Sequence, residues 1–89
     1  MGIAWNGSRF YITGGQNDKV YEYNPDGTYT GFNFAVGSQD NEPTGITAKA
    51  GAFYVAGDTT ARVYEYNSAG SYTGFNFSVG NQDTEARKL

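Results

Sequence analysis

The chain is written twice in one unbroken register. Gly2-Ile3 recurs as Gly45-Ile46, an offset of 43 residues that holds without a gap through the second copy. Val20-Tyr21-Glu22-Tyr23-Asn24 returns as Val63-Tyr64-Glu65-Tyr66-Asn67, and Tyr29-Thr30-Gly31-Phe32-Asn33-Phe34 as Tyr72-Thr73-Gly74-Phe75-Asn76-Phe77. A fixed period in the low forties marks a repeat architecture, in which each unit is one supersecondary module that cannot bury its faces alone. Such arrays need about three units for stability. Two copies therefore predict a chain that is incomplete by itself.

Composition narrows how such a chain could be completed. Small domains bury a modest share of their surface and lean on extra help. With no Cys there is no disulfide framework and no thiolate metal site. With no His, the commonest metal ligand and the commonest general base are both missing. Oligomerisation is the remaining route. Thirteen Gly, eight Tyr and six Phe against one Met describe a β protein with tight turns. A net charge of −3 runs against nucleic acid, which wants a basic patch. No stretch reads as a membrane span or a signal peptide. The compartment stays open.

Turn signals divide the first copy into four short segments rich in Tyr, Phe, Val, Ile and Thr: Gly2–Trp5, Arg9–Thr13, Lys19–Tyr23 and Thr28–Val36. The breaks are Asn6-Gly7, read as a type I′ hairpin turn, the polar stretch Gly14 to Asp18, Asn24-Pro25-Asp26-Gly27, and the connection from Gly37 to Thr44. Each unit is expected to be a four-stranded antiparallel meander. A period of two puts Phe32, Phe34 and Val36 on one face of the fourth strand, with Tyr29, Gly31 and Asn33 on the other. Val20 and Glu22 likewise oppose Tyr21 and Tyr23. Large side chains on both faces require a sheet sandwiched between neighbours.

At this point the residues resemble a known family. Gly2-Ile3-Ala4, Phe10-Tyr11-Ile12, Lys19 to Asn24 and Asp26-Gly27 are similar to one blade of an NHL-type β-propeller, and the likeness covers nearly the whole chain, twice. Two departures stand out. Pro43 precedes only the second unit, and Ala48-Lys49-Ala50-Gly51 replaces Trp5-Asn6-Gly7-Ser8. The expected fold is all-β, with blade 1 at residues 1–44 and blade 2 at 45–87. Lys88-Leu89 reads as a cloning remnant or, equally, as a natural chain end.

A propeller hides its sheet faces by arranging about four to eight blades in a circle. Two blades leave two aromatic faces open, and head-to-tail contacts between identical chains close into a ring when the rotation permits. The resemblance favours six blades, hence a homotrimer. A homotetramer with eight blades is the alternative, and a fragment of a longer natural propeller is the other reading. The residues expected between blades are Tyr21, Tyr23, Phe32, Phe34, Tyr64, Tyr66, Phe75 and Phe77.

Meander geometry places the second-to-third-strand loop and the inter-blade connection on one mouth of the ring. Gln16, Asn17, Asp18, Gln39, Asp40 and Glu42 fall there, with Asp58, Thr59, Gln82, Asp83 and Glu85 from the second blade. Gln39-Asp40 and Gln82-Asp83 recur at one point of both copies. They are candidate ligand or cation contacts, since hard cations prefer oxygen donors. A carboxylate that caps a turn by accepting backbone N–H groups is the preferred reading. Trp5 could stack on a sugar in the central channel, but its counterpart is Ala48, and packing is preferred. Glu22 and Glu65 invite a carboxylate-pair reading, weak without a deducible perturbed environment. Phosphate-loop and nucleophile-elbow patterns are absent. No enzymatic activity, cofactor or metal is expected. Two roles remain: a structural module that assembles a symmetric propeller, and a lectin-like or protein-binding propeller using the acidic mouth.

Overall fold

A computed structural model describes residues 2–14 and 16–80. The first copy forms β1 (Ile3–Trp5), β2 (Phe10–Gly14), β3 (Lys19–Tyr23) and β4 (Tyr29–Ala35). The second forms β5 (Pro43–Lys49), β6 (Ala52–Gly57), β7 (Arg62–Asn67) and β8 (Tyr72–Ser78). Each set makes one four-stranded sheet in chain order. All neighbouring strands are antiparallel. β5 begins at Pro43, two residues ahead of the expected boundary at Gly45, with the proline as first residue where a missing N–H is tolerated.

The turns depart from the sequence reading in an instructive way. The type I′ geometry expected at Asn6-Gly7 is not there. Trp5 pairs with Phe10, the Asn6 N–H donates to the Arg9 carbonyl at 3.2 Å, and the central residues are Gly7-Ser8. Positive φ falls on Gly7 (99°) and not on Ser8, the pattern of a II′ turn. Asn6 stays outside because its side chain is better used as a cap. Its Oδ1 accepts from the N–H groups of Ser8 at 2.9 Å and Arg9 at 2.8 Å. The I′ geometry sits instead in the second copy, where Ala50 (φ 51°) and Gly51 (φ 81°) are both left-handed.

Period two also misses a bulge. Tyr21 pairs with Asn33 and Tyr23 with Tyr29, so Thr30, Gly31 and Phe32 together oppose Glu22. Gly31 takes φ 95°, and Gly74 takes φ 96° at the same place in the second sheet. The Thr30 hydroxyl fastens this bulge. It donates to Glu22 Oε1 at 2.7 Å and accepts from the Phe32 N–H at 3.1 Å. Thr73 does the same to Glu65 at 2.8 Å and Phe75 at 3.2 Å. The longest identical run of the two copies is thus the run that builds the bulge.

The core lies between the two sheets. Ala4, Tyr11, Val20, Phe34 and Val36 from the first meet Phe53, Val55, Tyr64 and Tyr66 from the second. The Phe53 ring is 4.5 Å from Tyr11 and 5.6 Å from Phe34, and Phe34 is 5.5 Å from Tyr66. Burying each Phe side chain contributes about 1.5–3 kcal/mol, so these rings account for much of the attraction between the sheets.

Candidate functional site

Each sheet has two apolar faces, and the chain covers one face of each. The first sheet turns Tyr11, Val20 and Phe34 inward, and the second turns Phe53, Tyr64 and Tyr66 inward. The 43-residue counterparts of both sets lie on the outside. Phe34 is 7% exposed, while Phe77 is 44% exposed. Tyr66 is 1% exposed, while Tyr23 is only half-buried. Phe32 is half-buried against the core, and Phe75 is exposed.

The expected inter-blade residues therefore divide. Phe32, Phe34, Tyr64 and Tyr66 belong to the packing between the sheets. Tyr21 and Tyr23 do not lie between the sheets of this chain. They form an aromatic cluster with Tyr29 on the outer face of the first sheet, at ring distances of 6.0 and 5.6 Å. Phe75 and Phe77, 5.9 Å apart, lie on the outer face of the second. There they line a hollow of about 770 Å³ together with Tyr54, Ala56, Val63, Ile46 and Ile3. Its lining is mostly apolar, with Lys49 the one charged side chain among the residues that border it. The sequence cannot say which copy of a repeated aromatic is covered, because only the order of the two units along the chain decides it.

Asp40 is the strongest polar feature. It is buried at 6% exposure, and both carboxylate oxygens accept from the protein. Oδ2 takes the Thr60 N–H and the Thr60 hydroxyl, each at 2.7 Å. Oδ1 takes the Glu42 N–H at 2.8 Å and the Thr59 N–H at 3.3 Å. Burial by itself pushes this carboxyl upward, but the donors from Thr60, Glu42 and Thr59 together outweigh it and hold Asp40 below the usual carboxylate range. A cation binding either oxygen would compete with two donors already bound there. Gly57 makes the approach possible, since a Cβ there would collide with the Asp40 carboxyl group. Beside it, Gln39 Oε1 accepts from the Tyr66 hydroxyl at 3.0 Å. Gln82 and Asp83, the second-copy candidates, lie outside the described residues.

The remaining candidates fall elsewhere. Trp5 is half-exposed, with its ring 4.8 Å from Phe10, and borders a hollow of about 250 Å³ lined also by Tyr11, Ala48 and Phe53. Glu22 accepts from the Tyr11 hydroxyl at 2.6 Å, and Glu65 from Tyr54 at 2.6 Å. Both carboxylates are thus bound within their own sheets. Tyr11 is pushed up to about 12, first by burial and then by the Glu22 hydrogen bond and charge. Among the described residues no group of three or more acidic, His or Cys side chains gathers to hold a metal ion. Sequence reasoning missed the Tyr–Glu–Thr bracket of each sheet. Its signal was available, because all three residues recur at the same offset.

No family model matches the chain, and no curated protein matches it. Among solved structures, the chain is similar to the crystal structure of BBS1N in complex with ARL6DN, soaked with lead, with a TM-score of 0.57 at 17% identity. The match covers 80% of this chain and 21% of that one, so the chain spans about a fifth of the structure it resembles. That neighbour is a β-propeller. The likeness shows the fold: two four-stranded antiparallel sheets, consistent with propeller blades.

Proposed function

We propose that the chain is a structural module that assembles with copies of itself into a closed β-propeller and carries no catalytic activity. One observation carries this reading. The open face of the second sheet repeats most of the covered face of the first: Tyr54 for Tyr11, Val63 for Val20, Phe75 for Phe32 and Phe77 for Phe34, with Thr47 in place of Ala4. The open face of the first sheet repeats much of the covered face of the second, with Phe10, Tyr21, Tyr23 and Tyr29 for Phe53, Tyr64, Tyr66 and Tyr72, while Ile12 and Trp5 stand for Val55 and Ala48. Two complementary open faces on one molecule make a head-to-tail contact, and such contacts form rings when the rotation closes.

The NHL-like character of the unit favours six blades from three chains, with eight blades from four as the rival arrangement. Ring closure would supply the burial that two sheets lack, since exposed aromatic patches of this size mark association sites. Light scattering on the wild type and on Phe77→Glu tests the reading. Phe77 touches water in the single chain, so the charge should act on the contact between chains, reducing the mass and, because folding and association are linked, lowering the melting temperature with it. Equal masses for both proteins would overturn it.

A further inference from the structure

We propose that Phe77 of one copy seats over Gly27 of a second copy, repeating between chains the contact that Phe34 makes with Gly70 inside one. The inference rests on the self-assembly reading above and adds to it the contact that sets the register between chains. Its template lies inside the chain. The Phe34 ring fills a notch over Gly70, where a Cβ would leave it no room. Phe53 and Tyr66 wall that notch, with their rings 5.6 and 5.5 Å from Phe34.

Both halves of the contact recur at the 43-residue offset, and there both are unfilled. The knob keeps its shape. Phe32 and Phe34 stand 5.9 Å apart with their planes at 47°, and Phe75 and Phe77 stand 5.9 Å apart at 51°. Yet Phe34 is buried and Phe77 is exposed. The notch keeps its shape too. The Gly27 N–H donates to the Asn24 carbonyl at 2.9 Å, as the Gly70 N–H does to the Asn67 carbonyl at 2.9 Å. Their φ values are 92° and 87°. Nothing comes within 4 Å of a Cβ placed on Gly27. The left-handed backbone accounts for glycine at both positions, and a ring covers one of them only.

The walls of the open notch are also in place. Phe10 stands opposite Tyr23 across β2 and β3, as Phe53 stands opposite Tyr66 across β6 and β7. The main enlargement on the receiving face is Trp5 for Ala48. Trp5 pairs with Phe10 from β1, on the side away from Tyr23, so it leaves the Gly27 side free. Asp26 stands beside the notch in place of Ala69, but its Oδ1 is engaged by the Thr28 N–H at 3.0 Å and hydroxyl at 2.7 Å. Close packing makes such a notch selective, because a residue bearing a Cβ there would collide with the incoming ring.

The chain has no cysteine, so engineered thiols report the contact without background. A Cβ on Gly70 would lie 2.7 Å from the Phe34 Cβ, and a small shift brings such a pair to the roughly 3.5–4.5 Å of a disulfide. The double variant Phe34→Cys, Gly70→Cys should therefore close within one chain under oxidised glutathione. Phe77→Cys and Gly27→Cys chains, refolded together at high concentration, should give a linked pair containing one of each, and neither should cross-link alone. Gly27→Asn supplies a readout that needs no bond. Asn tolerates the left-handed turn but fills the notch, so sedimentation should show dissociation at a concentration about ten-fold higher or more. If the wild type assembles but no mixed pair forms while the internal pair closes, or Gly27→Asn dissociates where the wild type does, the contact is refuted and self-assembly stands. Linkage of Phe77→Cys chains to one another would likewise refute it, since the second faces would then meet each other. If the wild type never assembles, the underlying reading fails.

Discussion

Phe34 stands directly over Gly70. A Cβ on that glycine would fall 2.6 Å from the Phe34 ring, so the side chain of one sheet occupies space the other sheet leaves empty. Gly70 also holds φ 87° at the close of the Asn67–Ser71 turn. Gly70→Ala should therefore suffer twice, from backbone strain and from displacement of Phe34 off Phe53 and Tyr66. The expected loss is about 2–4 kcal/mol in urea melts. Gly27, its counterpart, has φ 92° and open space around it. Under conditions that keep chains apart, Gly27→Ala should cost only the strain, about 1–2 kcal/mol. Equal costs would show that Phe34 does not rest on Gly70.

Ala50 is an avoidable strain. It takes φ 51° as the first central residue of a I′ turn, a position where Asn or Gly is favoured. Ala50→Asn should raise stability by up to about 1 kcal/mol, read as a higher melting temperature with unchanged circular dichroism. A lower melting temperature would mean that the turn is not held in this conformation.

Asp40 should dominate the acid limb of stability. Its folded carboxyl titrates below the ordinary value of 3.8, so its contribution is present above that pH and is lost as pH falls through the depressed value. Asp40→Ala strands the N–H groups of Thr59 and Thr60 and should cost about 2–4 kcal/mol at neutral pH. Urea titrations against pH should also show a flatter acid limb in this variant. An unchanged acid limb would place the controlling carboxylate elsewhere.

Tyr11 should act on the alkaline side. Its folded pKa is raised from 10.0 to about 12, so the neutral phenol is favoured by folding. The stabilisation is complete below about pH 10 and is lost as pH rises towards 12. Tyr66 is raised further still, chiefly by burial, and contributes in the same direction. Tyr11→Phe should therefore lower stability at neutral pH and reduce the slope of its loss above pH 10. A slope as steep as that of the wild type would contradict the Tyr11–Glu22 bond.

Much of this fold is legible in the sequence because its determinants are local. Asn24 to Gly27 and Asn67 to Gly70 announce their turns, and alternation alone separates the Phe34 face of β4 from the Tyr29 face. The bulge at Gly31 is hidden because three residues against one preserve the parity of the strand, so the faces look regular. Asn6-Gly7 misleads because a side-chain cap outcompetes the left-handed backbone that the dipeptide can adopt. The Asp40–Gly57 contact joins residues that only the packing of two sheets brings together. Repetition is its one trace: a glycine and an acid recur at a fixed offset, yet composition gives neither a reason to be there.

The central claim is that the two open faces belong against each other. Sedimentation equilibrium of the wild-type chain over a wide dilution range tests it most directly. Ring closure with six blades predicts a single discrete species of three times the 9.6 kDa chain mass, with melting that depends on concentration because folding and association are linked. A four-chain mass would preserve closure with eight blades. A stable, cooperatively folded species of one chain mass at micromolar concentration would contradict the account.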